Sequence, residues 1–555
     1  MLNWLSSRLK QGQADHPLGS NKAIDRYLAE VPVANPQHTL AALDDWLEAP
    51  SRLFAELPPA DATHALIRLD DFAQPAVGLC WDSYFGDGGK RDYSAEIALK
   101  RLEAHYANIA ATCEQALVAL AAGDGKSEPD RNLLARLGTR AMAALAARKK
   151  IAHFSYQWPD EAWWKATHEL LFRARDAGVL HTRQAAYPGG EPSSVWREYL
   201  IALFFEVAPL ANLTPQQMDA LDRIVRWAQE HFICIDAFSP HTPFRIRLDE
   251  TNAPVRCAPG QSDDPAWRYF GPGPALSHLV KLRAMLSTGR APDWLPAHCN
   301  RQESLDLVQA LLQHWSMTPP KRALDRQHRE GRLLVAQGFV IARRMIAASE
   351  FARSGRSLDY GGQIKYRTLM RGDHQPEAEA VEPKTPLENL QLLETAGDRQ
   401  MMDQWEIIDL SAQGLGARFA YRRSWQTIGA LVAYRHVEEV DWRVGIVRRL
   451  GRSHGVPNAG LSIFAGIPRC AQLEALNRED EGVWQQQTRD TSGHGLIDAI
   501  LVSHAERLLL LPKDIYSLER RVDLLLGGQR LALRLAGVQA SGDDYDLVLF
   551  REVDG

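Results

Sequence analysis

The chain has 555 residues, of which 45% are apolar and 24% charged, and it carries a net charge of −5. That length exceeds what one hydrophobic core organises and implies about two to four domains, with the composition of a soluble globular protein. The slightly acidic balance supplies no global field for nucleic acid, and no stretch approaches the ~20 apolar residues of a membrane span.

The N-terminus, Met1 to Lys10, lacks the apolar run of a signal peptide and reads as a frayed end that docks Trp4 and Leu5 on the domain behind it, with a small amphipathic helix touching a membrane or partner as the alternative. From about Ala23 to Ser316 the pattern is mostly helical. After Ser94, apolar residues recur at three- and four-residue steps from Ile97 to Leu120, and Gly123 closes the run. Further helices are expected near 133–152, 161–177, 195–205, 275–286 and 305–315. Thr214-Pro215-Gln216-Gln217 is a capping box with proline at the first helical position, and it opens a helix carrying Met218, Leu221, Ile224, Val225 and Trp227. Between Ile233 and Val255 the alternation of Phe244-Arg245-Ile246-Arg247-Leu248 reads as a strand. Trp158, Trp163, Trp164, Trp196 and Trp227 are expected in the core of this region, and a groove for a partner helix is the functional alternative.

No repeat of fixed period stands out. The six cysteines have neither a CxxC pair nor a metal-ligand rhythm, so reduced buried thiols and a cytoplasmic location are expected, with no bound metal. Enzyme signatures fail one by one. Gly86-Asp87-Gly88-Gly89-Lys90 is followed by Arg91, where a phosphate loop needs Ser or Thr, and it reads as a turn. Adjacent His298 and Cys299 rarely aim both reactive atoms at one point. No zinc-protease, serine-hydrolase, cyclase or phosphodiesterase signature is present, so the chain reads as a non-enzyme that needs no cofactor.

Two motifs in the C-terminal half carry chemistry. Arg322-x-x-x-Arg326 offers two planar guanidinium forks for phosphate or a purine face, and Asp409-x-Ser411-x-x-Gly414 offers acceptors, a hydroxyl and a residue without a Cβ. The arginine spacing recurs at Arg367/Arg371, Arg418/Arg422, Arg448/Arg452 and Arg530/Arg534 and decides nothing alone. The second motif is expected by chance on the order of 0.2 times in such a chain. Context separates the copies. Pro319-Pro320 ends a helical run, and Arg322 and Arg326 then lead into the strand-like Leu333-Leu334-Val335, while Trp405-Glu406-Ile407-Ile408 is a strand ending at Asp409. Arg448 and Arg452 instead follow a strand. Lys321, Arg322, Arg326, Arg329 and Arg332 concentrate positive charge at this place.

The strands that follow, Ile428 to Tyr434, Trp442 to Arg449 and Gly460 to Phe464, complete a succession that resembles the PilZ domain, a family that binds cyclic di-GMP. The resemblance covers about Lys321 to Leu473. It implies a β-barrel in which Arg322 and Arg326 hold guanine bases and phosphates, Asp409 and Ser411 hydrogen-bond a guanine, and Gly414 is structural, with Lys321 and Arg329 as additional contacts. The chain departs from the family in the gap between the motifs, which is several times the usual one. An insertion at about 340–403 must leave and re-enter the barrel. Its start, Phe339 to Phe351, reads as a helix; the remainder is polar, with Pro376, Pro383 and Pro386, and its pattern leaves open whether it covers the ligand, docks on the helical domain or hangs out as a loop.

Beyond the barrel, short strands at 499–502, 508–511, 522–526, 531–535 and 545–550, with a Gly527-Gly528 hairpin, read as an extension of the barrel or a second small β module. The expected architecture is α+β and multidomain: a mostly helical domain over 1–316, a PilZ-like antiparallel barrel over 317–475 and a β extension over 483–555. The corresponding function is a cytoplasmic cyclic di-GMP effector in signal transduction. Ligand would draw the 318–332 linker onto the barrel and change a contact between the helical domain and a protein partner. The rival reading is a non-enzymatic scaffold whose barrel no longer binds nucleotide; an RNA or DNA binder using 322–371 is disfavoured by the acidic charge.

Overall fold

In the computed structural model the described residues are 16–48, 51–86, 93–122, 130–258, 266–319, 326–354, 385–395, 402–453, 455–475 and 496–553. The chain forms two compact units, residues 1–321 and 322–555. The fold is α+β, a helical N-terminal region followed by antiparallel β-barrels.

In the first unit the long helices Pro59–Phe85, Tyr93–Ala122, Arg131–Phe154 and Val195–Glu206 pack in succession. The capping box at Thr214 forms as expected and starts helix Pro215–Ala228; a second one, between Asn300 and Glu303, starts helix Arg301–His314. The strand expected at Phe244 belongs to a four-stranded sheet that also contains Trp267–Gly271, a strand not anticipated from the sequence. Only glycine fits at its end, because a Cβ on Gly271 would collide with the His241 carbonyl.

The core of this unit contains charges in pairs. Arg140 is fully buried, lies 2.7 Å from Asp70 and stacks 4.5 Å from the Tyr187 ring centre. Lys149 reaches Glu206 at 2.8 Å and lies over Trp163 and Trp164. Those two tryptophans are buried as expected, and Trp158 and Trp196 are half-buried. Trp227 corrects the expectation. It is 38% exposed and stacks on Trp294, because the buried face of its helix is formed by Met218, Leu221, Ile224 and Val225.

The second unit contains two barrels. The first comprises β1 (Arg332–Gln337), β2 (Met402–Leu410), β3 (Gly414–Arg418), β4 (Leu431–His436), β5 (Arg443–Ser453) and β6 (Val456–Ile463). Pairing of β3 with β2 closes the ring in the order β1-β2-β3-β6-β5-β4. Arg448 and Arg452 lie inside β5, which runs past the end expected for it by pairing with β6 as far as Ser453. The second comprises β7 (Arg469–Ala475), β8 (Leu496–Ser503), β9 (Leu508–Pro512), β10 (Arg521–Leu526), β11 (Gln529–Ser541) and β12 (Tyr545–Glu552), closed in the order β7-β8-β9-β12-β11-β10. The two rings share one strand order. The C-terminal strands are therefore a complete barrel of the same topology, with β7 as its first strand.

The helix expected at Phe339 spans Phe339–Arg353 and contributes Phe339, Ala342, Met345 and Ile346 to a core shared by Trp442 and Ile446 of the first barrel and Ile500, Leu510 and Tyr545 of the second. Asp544 accepts from the Phe339 N–H at 2.6 Å at the start of this helix. The polar remainder of the insertion, whose arrangement the sequence pattern left open, holds a second helix, Pro386–Thr395. Thr385 accepts from the Glu388 N–H and proline follows at the first helical position, a start signal that the sequence reading overlooked. Its Leu390 and Glu394 are buried, and Glu394 is 2.7 Å from Arg435 and 2.9 Å from the Trp442 indole nitrogen. This helix is docked on the first barrel. Pro376 and Pro383 lie outside the described residues.

Candidate functional site

The site begins with a register. A two-residue strand, Gln327–His328, pairs with the far end of β2, setting Gln327 against Leu410 and His328 against Asp409. That pairing places the preceding residue, Arg326, beside the turn between β2 and β3. Its Nη1 is 2.5 Å from Asp409 Oδ1, with the two side chains 28% and 25% exposed. On the other edge of β2, Asp409 faces Gly416, and the ladder shifts register at the next step.

The floor of this site is glycine. A Cβ on Gly414 would stand 3.3 Å from both Arg326 Nη2 and Ser411 Oγ, and one on Gly416 would stand 2.5 Å from Asp409 Oδ1 and 3.3 Å from Arg326 Nη1. Both glycines are buried beneath the guanidinium and the carboxylate. The turn is closed by the Ser411 N–H, which donates to the Gly414 carbonyl at 2.7 Å; the Ser411 hydroxyl donates to the same oxygen at 3.3 Å, so its lone pairs remain for a donor.

Of the residues singled out from sequence, the structure brings Arg326, Asp409, Ser411 and Gly414 together. Arg329 is exposed on the loop leading to β1, and its N–H donates to the Ile408 carbonyl at 3.4 Å. Lys321 and Arg322 lie outside the described residues. Gly416 was not anticipated, although its place two residues after Gly414, opposite a strand ending in Asp409, was a readable signal.

Next to the cradle runs a groove of about 720 Å³ that starts at His328 and Ile408 and continues past Arg332, Glu406 and Arg418 to His436. Arg332 and Arg418 face Glu406 from the two strands beside it, and Arg418 Nε is 2.7 Å from Glu406 Oε2. Gly331 leaves room for the His436 ring, which a Cβ there would meet at 2.6 Å.

The corresponding turn of the second barrel is built differently. Residues 504–507, between β8 and β9, contain no glycine; Ser503 accepts from the Glu506 N–H, and Arg507 takes the left-handed conformation at φ 56°. No group of three or more His, Cys, Asp or Glu side chains that could hold a metal ion occurs among the described residues, and no described helix is long and apolar enough to cross a membrane.

Residues 22–234 match the family model for the N-terminal domain of the cyclic-di-GMP receptor FimW. No curated protein matches the chain. The matched segment lies within the helical unit, apart in sequence from the cradle at Arg326 and Asp409.

Proposed function

We propose that this chain is a cyclic di-GMP receptor of the PilZ type that binds nucleotide on the outer face of its first barrel. The observation that carries the reading is the Arg326 guanidinium held by Asp409 above Gly414 and Gly416. One Arg326 nitrogen is engaged by the carboxylate, and the remaining donors and the planar face are available to a phosphate or a guanine ring. Asp409 has acceptor capacity for the guanine N1–H and exocyclic amine, with Ser411 as a further hydrogen-bonding group, and the missing Cβ atoms let a flat base approach the backbone. The family match in the helical unit supports the same ligand from a different part of the chain.

Arg326 is already docked through the 327–328 pairing. What the nucleotide recruits is then Arg322, with Lys321 and Arg329 as further contacts. Each charge-assisted bond is worth roughly 1.5–3 kcal/mol, against about 8 kcal/mol for a micromolar complex. Drawing the residues that precede Arg326 onto the barrel changes a protein contact made by the helical domain, and the output is signalling without catalysis. All six cysteines are free thiols, which supports a reducing, cytoplasmic setting.

The test is calorimetric titration of cyclic di-GMP into the intact protein and its Arg322→Ala and Arg326→Ala variants, with GTP as control. Saturable binding that weakens at least tenfold in each variant is expected. No binding by wild type would favour the scaffold reading, and equal binding by wild type and variants would remove these arginines from the site.

A further inference from the structure

Arg449, on β5, belongs to neither motif, yet the ladder sets it in line with the cradle. Gly416 of β3 pairs with Gly460 of β6, and Gly460 pairs with Arg449. One position along, Ala417, Ala459 and Leu450 are buried in the barrel, so Gly416, Gly460 and Arg449 share its outer face. The pairing shifts between Val447 and Arg449, which leaves Arg448 as the extra residue of a bulge. The Arg449 side chain lies against Gly460, where a Cβ would stand 3.3 Å from Arg449 Cβ and 3.9 Å from its Cδ. Neighbouring strands are about 4.8 Å apart, so the Arg449 backbone is about 10 Å from that of Gly416, with only Gly460 between them in that row.

The charge on this side of the cradle is positive. The β5–β6 hairpin carries Arg443, Arg448, Arg449 and Arg452 and no carboxylate. On β2, Asp409 and Glu406 are each bonded to an arginine, Arg326 and Arg418. The second barrel is filled at the matching place. Its β9 and β12, which hold the ring positions of β3 and β6, put Leu508, Leu510 and Leu547 into the core shared with helix Phe339–Arg353, while Leu509, Leu511 and Val548 fill the barrel's own interior.

Resting on the receptor reading above, we propose that Arg449 is a further nucleotide-binding residue, which holds a phosphate of cyclic di-GMP from the side of the site opposite Arg326. The guanine bound by Asp409 lies across Gly416 and Gly460, and the Arg449 guanidinium meets the phosphate beyond it. A ligand with two phosphates needs cations on more than one side of its base, and the guanidinium fork offers a phosphate two parallel donors.

The test is calorimetric titration of cyclic di-GMP into the intact protein and its Arg449→Ala, Arg448→Ala, Gly460→Val and Arg326→Ala variants, each with a thermal melt. Arg448 and Arg449 are both exposed, so their alanine variants are expected to melt as wild type does. Affinity is expected to fall about ten- to hundredfold in Arg449→Ala, and by a similar factor in Gly460→Val, whose branched side chain fills the place of the base. Arg448→Ala removes the same charge one residue away and should bind as wild type does. Wild-type affinity in Arg449→Ala, or an equal loss in Arg448→Ala, overturns the assignment, and a loss in Arg326→Ala then leaves the receptor reading intact. A wild-type protein that takes up no cyclic di-GMP overturns both.

Discussion

Arg326 and Asp409 stand 83 positions apart in the chain, yet the guanidinium and carboxylate are 2.5 Å apart because a two-residue strand pairs with the last residues of β2. The space the pair occupies exists only because Gly416 has no side chain.

Replacing that glycine therefore separates recognition from folding. In Gly416→Ala the new methyl meets the tip of the Asp409 side chain, which can rotate, so stability should fall by no more than about 1 kcal/mol. Displacing the carboxylate releases Arg326, and cyclic di-GMP affinity should drop at least about tenfold. A thermal melt and a titration on the same sample check both, and normal affinity in this variant would remove Asp409 from recognition.

The second barrel repeats the strand order of the first without its glycine-floored turn. All nucleotide binding should therefore belong to the first barrel. In an Arg326→Ala/Gly416→Ala variant no second class of site should remain in the titration, and Ser503→Ala should bind as wild type does. Residual saturable binding in the double variant would give the second barrel a site of its own.

Glu394 fastens the insertion to the first barrel. Its carboxylate meets Arg435, itself 1% exposed, and the Trp442 indole N–H. Removing one member of such a buried pair leaves the other charge unpaired, so Glu394→Ala should cost about 3–5 kcal/mol in urea denaturation of the barrel unit. A joint Glu394→Leu/Arg435→Met replacement, which leaves neither charge behind, should recover most of that loss. Equal destabilisation in both variants would show that the ion pair is not what matters.

Acid should weaken the helical unit. Burial pushes the Glu206 carboxyl up, but Lys149 and His153 outweigh it and hold it well below the ordinary carboxylate range; Lys150 and His298 do the same for buried Asp219. Both groups contribute stability that is present above the unfolded carboxyl pKa of about 4 and is lost as pH falls below it. Burial also lowers the pKa of His168, which sits between the Glu250 carbonyl and the Tyr199 hydroxyl. The unfolded chain takes up that proton first, so this loss begins below about pH 6.5. Asp70, lifted by burial, works in the opposite sense. The net expectation is a melting temperature that falls gently below about pH 6.5 and more steeply below about pH 4, where Glu206→Gln has the flatter acid limb; an unchanged limb there would exclude Glu206 as a source.

Much of this architecture was legible in the chain. Apolar residues at helical spacing, together with the Thr214 capping box, marked the helices, because those signals are local and a helix satisfies its hydrogen bonds within itself. Alternating apolar residues marked most barrel strands, and the Asp409 to Gly414 hexamer marked the turn, because a turn needs particular residues at particular offsets.

What the sequence could not supply was everything set by pairing between distant segments. The ring closure between β2 and β3, the role of Gly416, and the docking of the helix at 386–395 through Leu390 and Glu394 all depend on neighbours far along the chain. So does the identity of strand order in the two barrels, because topology is fixed by which backbone edges meet, and different side chains can satisfy the same edges. The sequence by itself determined the elements and the chemical groups available to a guanine nucleotide. Tertiary structure alone decided that Arg326, Asp409 and two glycines share one place, because only the register of an antiparallel ladder brings residues of such separation within hydrogen-bonding distance.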